Sequence, residues 1–143
     1  MTEPIILTVK NFDIWNALVG NPDPSQPGPL VDLVALDTPL PASNILRRSL
    51  RLAREAFGDL DAERNKRIEK YAEKDADGKM VKTDDGKGIK LSDPDAFAKE
   101  IEELFAQEVP LVGAKTVKVS ELGKINFSGD KLERLNAFVV DDV

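Results

Sequence analysis

The chain has 143 residues, 41% of them apolar and 32% charged, with a formal net charge of −6. That is enough apolar content for one buried core, and a single domain over 1–143 is expected. There is no histidine and no cysteine, which removes the commonest general base, the usual zinc ligands, thiol nucleophiles and disulfides together. The acidic balance favours basic partner surfaces and argues against direct binding to nucleic acid or to an anionic membrane.

The charge is uneven: residues 39–58 carry four arginines against one glutamate and are locally basic, whereas 1–38 and 59–108 are acidic. Met1-Thr2-Glu3-Pro4-Ile5-Ile6-Leu7 lacks the basic region and long apolar run of a signal peptide. No window approaches the ~18 apolar residues of a membrane span. A soluble, cytoplasmic protein is the expectation.

Ile5 to Val9 reads as a short strand, followed by a helix capped by Asn11 with Ile14, Trp15, Leu18 and Val19 on one face. Trp15, the sole tryptophan, fits a core anchor better than an interface hot spot. Gly20 to Pro29 holds Pro22, Pro24, Pro27 and Pro29, which predicts a stiff loop within the domain. A proline-recognition ligand is the less favoured reading of that loop. Leu30 to Leu36 leans towards helix, because Leu33 and Val34 follow Leu30 at helical spacing. Thr38-Pro39-Leu40-Pro41 then breaks the chain, with Pro41 suited to the first turn of the next helix.

From Ala42 to Glu73 an apolar stripe through Leu46, Leu50, Ala53, Phe57, Leu60, Ile68 and Tyr71 predicts a long helix, kinked or split at Gly58-Asp59. A second helix starts at Asp93-Pro94, cap and first position, with Phe97, Ile101, Leu104 and Phe105 inward. Joined by a short insert, the two should pack antiparallel. Beyond Pro110, Val117, Val119 and Leu122 suit a strand or a short helix, Ser128 to Asn136 a capped helix, and Ala137 to Val140 a terminal strand. No internal repeat is evident.

The insert between the long helices invites comparison with a calcium loop, since Glu73, Asp75 and Asp77 fall on ligand positions when Gly78 takes the obligatory glycine. Asp84 then stands where a bidentate glutamate is required, and the first ligand is Glu rather than Asp. A β-hairpin fits better, with Asp77-Gly78 and Asp85-Gly86 at its turns and Lys79–Lys82 and Gly88–Leu91 as arms. Asp77-Gly78-Lys79 and Pro94-Asp95 are the nearest fragments to a metal-dependent nuclease, in no order that builds a site. With no histidine to activate a serine, a Ser-His-Asp hydrolase is excluded, and no dinucleotide or phosphate-loop motif is present.

Arg47, Arg48, Arg51 and Arg54 form a cluster in which 47, 51 and 54 share one helical face. They could meet phosphates or a partner's carboxylates. The plainer reading is a solvated flank pairing with Glu55 or with acids of the second helix.

Ile68-Glu69-Lys70-Tyr71, Glu73 to Lys79, Asp93-Pro94-Asp95-Ala96-Phe97 and Glu102-Glu103-Leu104 together resemble an uncharacterised family of small bacteriophage proteins. The likeness runs over about residues 40–140, including Leu40-Pro41 and Leu135 to Val139, and leaves out the proline-rich loop. It implies phage origin, with the host cytoplasm or the virion as location, and it offers no catalytic residues.

The expectation is an α+β fold, mainly helical, with an antiparallel helix pair, an inserted β-hairpin and short terminal strands. No catalytic, cofactor-binding or metal-binding residue is assigned. A non-enzymatic, protein-binding phage protein is expected, acting as a host-directed inhibitor or anti-defence factor. A virion structural or assembly component is the alternative, and a metal-binding enzyme the least favoured.

Overall fold

The computed structural model describes residues 5–20, 25–86, 88–123, 125 and 127–140. The fold is mainly helical α+β. In chain order the elements are β1 (Ile6–Lys10), α1 (Asn11–Leu18), α2 (Pro29–Val34), α3 (Ala42–Tyr71), α4 (Pro94–Ala106), β2 (Glu108–Val112), β3 (Val117–Lys118), a 3-10 turn (Val119–Leu122), α5 (Gly129–Arg134) and β4 (Val139–Val140). They group into two compact units, one of residues 1–57 and 108–143, the other of 58–107. Helix α3 gives its first half to one and its second half to the other.

The first unit holds the main core. Ile14, Leu30, Leu33, Leu46, Leu122, Leu135 and Phe138 are all buried there, each worth about 1.5–3 kcal/mol relative to exposure. Trp15 is half-buried and stacks on Phe57, with ring centroids 5.7 Å apart at 28°. The cap of α1 is Lys10 rather than Asn11: the Lys10 amide donates to Asp13 Oδ2 at 2.9 Å, and Asn11 is buried as the first helical residue.

Strand β1 pairs antiparallel with β2, Leu7 opposite Leu111 and Thr8 opposite Pro110. The sequence concealed β2 because it contains a proline. The Gly113 amide donates to Ile5 O at 2.6 Å, and amides alternate in direction along a strand, so the nitrogen of Pro110 faces off the ribbon and no ladder bond is lost. The segment after Pro110 contains both of the anticipated alternatives, strand β3 followed by the 3-10 turn, and β3 pairs in parallel with β4. Ser128 caps α5, its hydroxyl accepting from Lys131 N at 3.3 Å. Arg134 Nη2 donates to Val19 O at 2.7 Å, and Lys131 pairs with Asp32 at 3.1 Å, tying α5 to the loop after α1 and to α2.

Helix α2 forms where the spacing predicts it. The proline loop lies partly outside the described residues; its described end bridges Pro27 to Val19. Leu40-Pro41 is cis, and Pro41 sits just ahead of α3 rather than inside it, its carbonyl accepting from Ile45 N at 3.1 Å. Helix α3 runs unbroken for 30 residues through Gly58. Of the kink or split expected at Gly58-Asp59, the split does not occur, since one glycine costs only about 1 kcal/mol against alanine and thirty residues of hydrogen bonding and packing outweigh it.

In the second unit the end of α3 pairs antiparallel with α4. Tyr71 meets Phe97 edge-on at 6.1 Å, and Lys70 Nζ lies 3.1 Å from Glu100 Oε1. Asp93 caps α4 by accepting from Ala96 N at 3.1 Å. Leu60, Ala72 and Leu104 are buried.

Between these helices the insert forms the anticipated hairpin and adds a third arm. Val81 N donates to Glu73 O at 2.8 Å, Lys90 N to Val81 O at 2.8 Å, and Glu73 N to Lys90 O at 2.9 Å. Three short segments therefore close on one another in a ring. The pattern Lys-x-x-Asp-Gly-Lys occurs at 74–79 and again at 82–87, a short internal repeat eight residues apart. Gly78 and Gly86 take φ of 80° and 72° at equivalent turn positions, where an alanine would be strained.

Candidate functional site

The first half of α3 turns Ala42, Leu46, Ser49, Leu50 and Ala53 into the core. Helical geometry then sends Arg47, Arg48, Arg51 and Arg54 outward, and all four are exposed. At 1.5 Å per residue, 47 to 54 spans about 10 Å of helix. Among the described residues none of the four makes an ion pair, Glu55 included. The pairing expected of a solvated flank is therefore missing.

Beside this face lies a groove of about 240 Å³ lined by Ile5, Pro41, Asn44, Ile45, Arg48, Gly113 and Lys115. It is built by the entry to α3, the start of β1 and the turn after β2. That turn is held by the Gly113 hydrogen bond to Ile5 and by a φ of 98° at Gly113. A Cβ on Gly113 would come 3.8 Å from Arg48 Cδ, so the arginine stem lies close along the turn. Ile5, Ile6, Leu40 and Val112 are exposed by 51–70%. Ile6 and Val112 are direct cross-strand partners at the end of the ribbon. Sequence patterning identified the arginines but not Ile5, Gly113 or Lys115, which reach the groove only through the β1–β2 pairing.

Several acids of the second unit are paired. Glu63 accepts from Arg67 at 2.9 Å and from Lys66 at 3.1 Å, and the Arg67 contact first, then Lys66, holds its carboxyl below the ordinary 4.5. The Tyr71 hydroxyl and Lys70 do the same to Glu100, whose charge in turn raises both Tyr71 and Lys70 above their usual values. Asp61 pairs with Arg64 at 3.3 Å and Glu73 with Lys90 at 3.7 Å. In the insert, Asp75 Oδ1 accepts from the amides of Asp77 and Lys79 at 2.9 and 3.0 Å. The Thr83 hydroxyl serves the matching turn, accepting from Gly88 N at 3.2 Å and donating to Asp85. Among the described residues no group of three or more Asp or Glu side chains is arranged to hold a metal ion.

A larger hollow of about 510 Å³ is lined by Val119, Gly129, Leu132, Glu133, Asn136 and Val139. Its described walls offer one carboxylate and one amide. Among the described residues no helix is long and apolar enough to cross a membrane. Comparison with family models, curated proteins and solved structures gives no match.

Proposed function

We propose that the chain is a non-enzymatic binding protein of bacteriophage origin that engages an acidic surface of a partner protein through the arginine face of α3. The observation that carries this is the exposure of Arg47, Arg48, Arg51 and Arg54 without an ion-pair partner among the described residues. Exposed pairs contribute little to folding, about 0–1 kcal/mol each, so four unmatched arginines on one helix have no evident stabilising role. Aligned, they steer association with a negative surface and fix its register. The net charge pointed to a basic partner; the local distribution favours an acidic one.

The likeness to small phage proteins supplies the setting: a host-directed inhibitor or anti-defence factor in the infected cell. The test is capture from infected host lysate on the immobilised chain and on its Arg47→Glu, Arg48→Glu, Arg51→Glu, Arg54→Glu variant. An acidic host protein retained by the first and released by the second is the expected result. Equal recovery on both columns refutes the arginine face, and recovery of phage structural proteins alone replaces host targeting by assembly. Calorimetric binding of a divalent cation at millimolar concentration would reopen the metal-enzyme reading.

A further inference from the structure

We propose that the groove beside Arg48 takes an extended acidic and aliphatic segment of the partner, seating one aliphatic side chain on Ile5, Pro41 and Ile45 with its flanking carboxylates on Arg48 and Lys115. This rests on the binding role assigned to the arginine face and adds what the partner must look like. At about 240 Å³ the groove falls below the ~300 Å³ at which sites for whole small molecules begin, and it suits one or two side chains of a chain segment. Among its described lining residues the apolar wall is aliphatic, with no aromatic ring as a platform for a base. The charged residues among them, Arg48 and Lys115, are both cationic and both exposed. Arg48 and Arg51 are neighbours on the helix at i,i+3, so carboxylates leaving the groove meet the arginine face.

The test is an NMR titration of the full ¹⁵N-labelled chain with the peptide acetyl-Asp-Asp-Leu-Asp-Asp-amide. The expected result is amide shifts at Ile5, Ile45, Gly113 and Lys115. Affinity should fall about tenfold when the peptide leucine becomes serine, and by a similar factor in Arg48→Glu. Lys115→Glu gives the same answer if Arg48→Glu disturbs the fold. Peptide binding along Arg47 to Arg54 that is indifferent to the leucine overturns the groove and leaves the arginine face standing. Absence of shifts with every acidic peptide, together with equal lysate capture by the charge-reversed variant, overturns both. Stronger shifts at these residues with a single-stranded oligothymidylate overturn the peptide in favour of nucleic acid.

Discussion

Gly28→Ala should be among the most damaging single-methyl changes available to this chain. The residue is buried, and its φ of −73° is one any residue adopts, so backbone conformation is not what requires glycine. A Cβ there would stand 2.5 Å from Ala17 O and 2.6 Å from Leu18 Cα, and nearer still to Leu18 C. Carbon atoms rest at about 3.5–4.0 Å, so relief needs roughly 1 Å of separation between the end of α1 and the start of α2. Neither side yields by rotating a side chain. Leu18 closes α1, and the Gly28 carbonyl accepts from Asp32 N at 3.1 Å to start α2. Ala17, Leu30 and Leu33, all 0% exposed, would be drawn apart. Overpacking costs about 1–3 kcal/mol, and backbone contact on both sides places this case at the upper end. The entropy removed from the unfolded chain returns about 0.4–1 kcal/mol, leaving a loss of about 2–3 kcal/mol. For a chain of this size that is a fall of about 10 °C in Tm. Trp15, stacked on Phe57 in the same unit, gives a fluorescence readout of it. The control is Gly58→Ala, where a Cβ meets nothing within 4 Å in mid-helix and stability should rise by about 0.5–1 kcal/mol by circular dichroism. An unchanged or higher midpoint for Gly28→Ala would refute the close-approach argument.

Ser49→Ala should stabilise the first unit by about 1 kcal/mol in chemical denaturation, since Ser49 Oγ is buried in the core with no hydrogen-bond partner among the described residues; a loss would show that the hydroxyl is satisfied. Glu63 and Glu100 have lowered values in the folded state, so their contribution is present above the unfolded value of 4.5 and drains away as pH falls through the folded one. A Glu63→Gln, Glu100→Gln double variant should therefore show a flatter dependence of Tm on pH below 4.5 than the parent; parallel curves would discount these pairs. Gly113→Ala, forced to keep a φ of 98°, should cost about 1–2 kcal/mol in thermal unfolding and lower affinity for the acidic peptide as the turn beneath Arg48 shifts. Hydrogen exchange should find the amides of residues 73–90 less protected than those of 46–53, because the former are mostly exposed and the latter sit on the main core; the reverse order would contradict that division.

The helices were legible wherever one face carries the burial. Leu46, Leu50 and Ala53 announce α3 because the 3.6-residue period survives whatever packs against it, and Asp93-Pro94 announces α4 because a cap acts within one turn. Strand β2 was not legible: Glu108-Val109-Pro110-Leu111-Val112 is a strand only because β1 lies alongside and Pro110 turns its nitrogen away, facts about residues a hundred positions apart. The groove inherits that blindness, since Ile5, Gly113 and Lys115 come to Pro41 and Arg48 through the same long-range pairing. Of the kink or split expected at Gly58-Asp59, the split is absent for the opposite reason, a local weakness overridden by helix on both sides.

The acidic insert shows why a composition that suggests an ion site can be structural instead. A calcium loop needs its carboxylates turned towards a common centre. Here Asp75 spends an oxygen on the amides of Asp77 and Lys79, and Asp85 accepts from Thr83, within two turns of the same pattern. Glu73, which would be the first ligand, lies on the ring of backbone hydrogen bonds and faces Lys90 at 3.7 Å. The three segments at 73, 81 and 90 each give one amide and one carbonyl to that ring, so the backbone of the insert closes on itself and fixes the ends of α3 and α4. Several acids of the second unit are engaged by turns or by lysine and arginine partners, whereas in the first unit four exposed arginines make no ion pair among the described residues. Arg47, Arg48, Arg51 and Arg54 stand there together, beside an aliphatic groove, which is why the search for a partner begins on α3 rather than on the acids that first draw the eye.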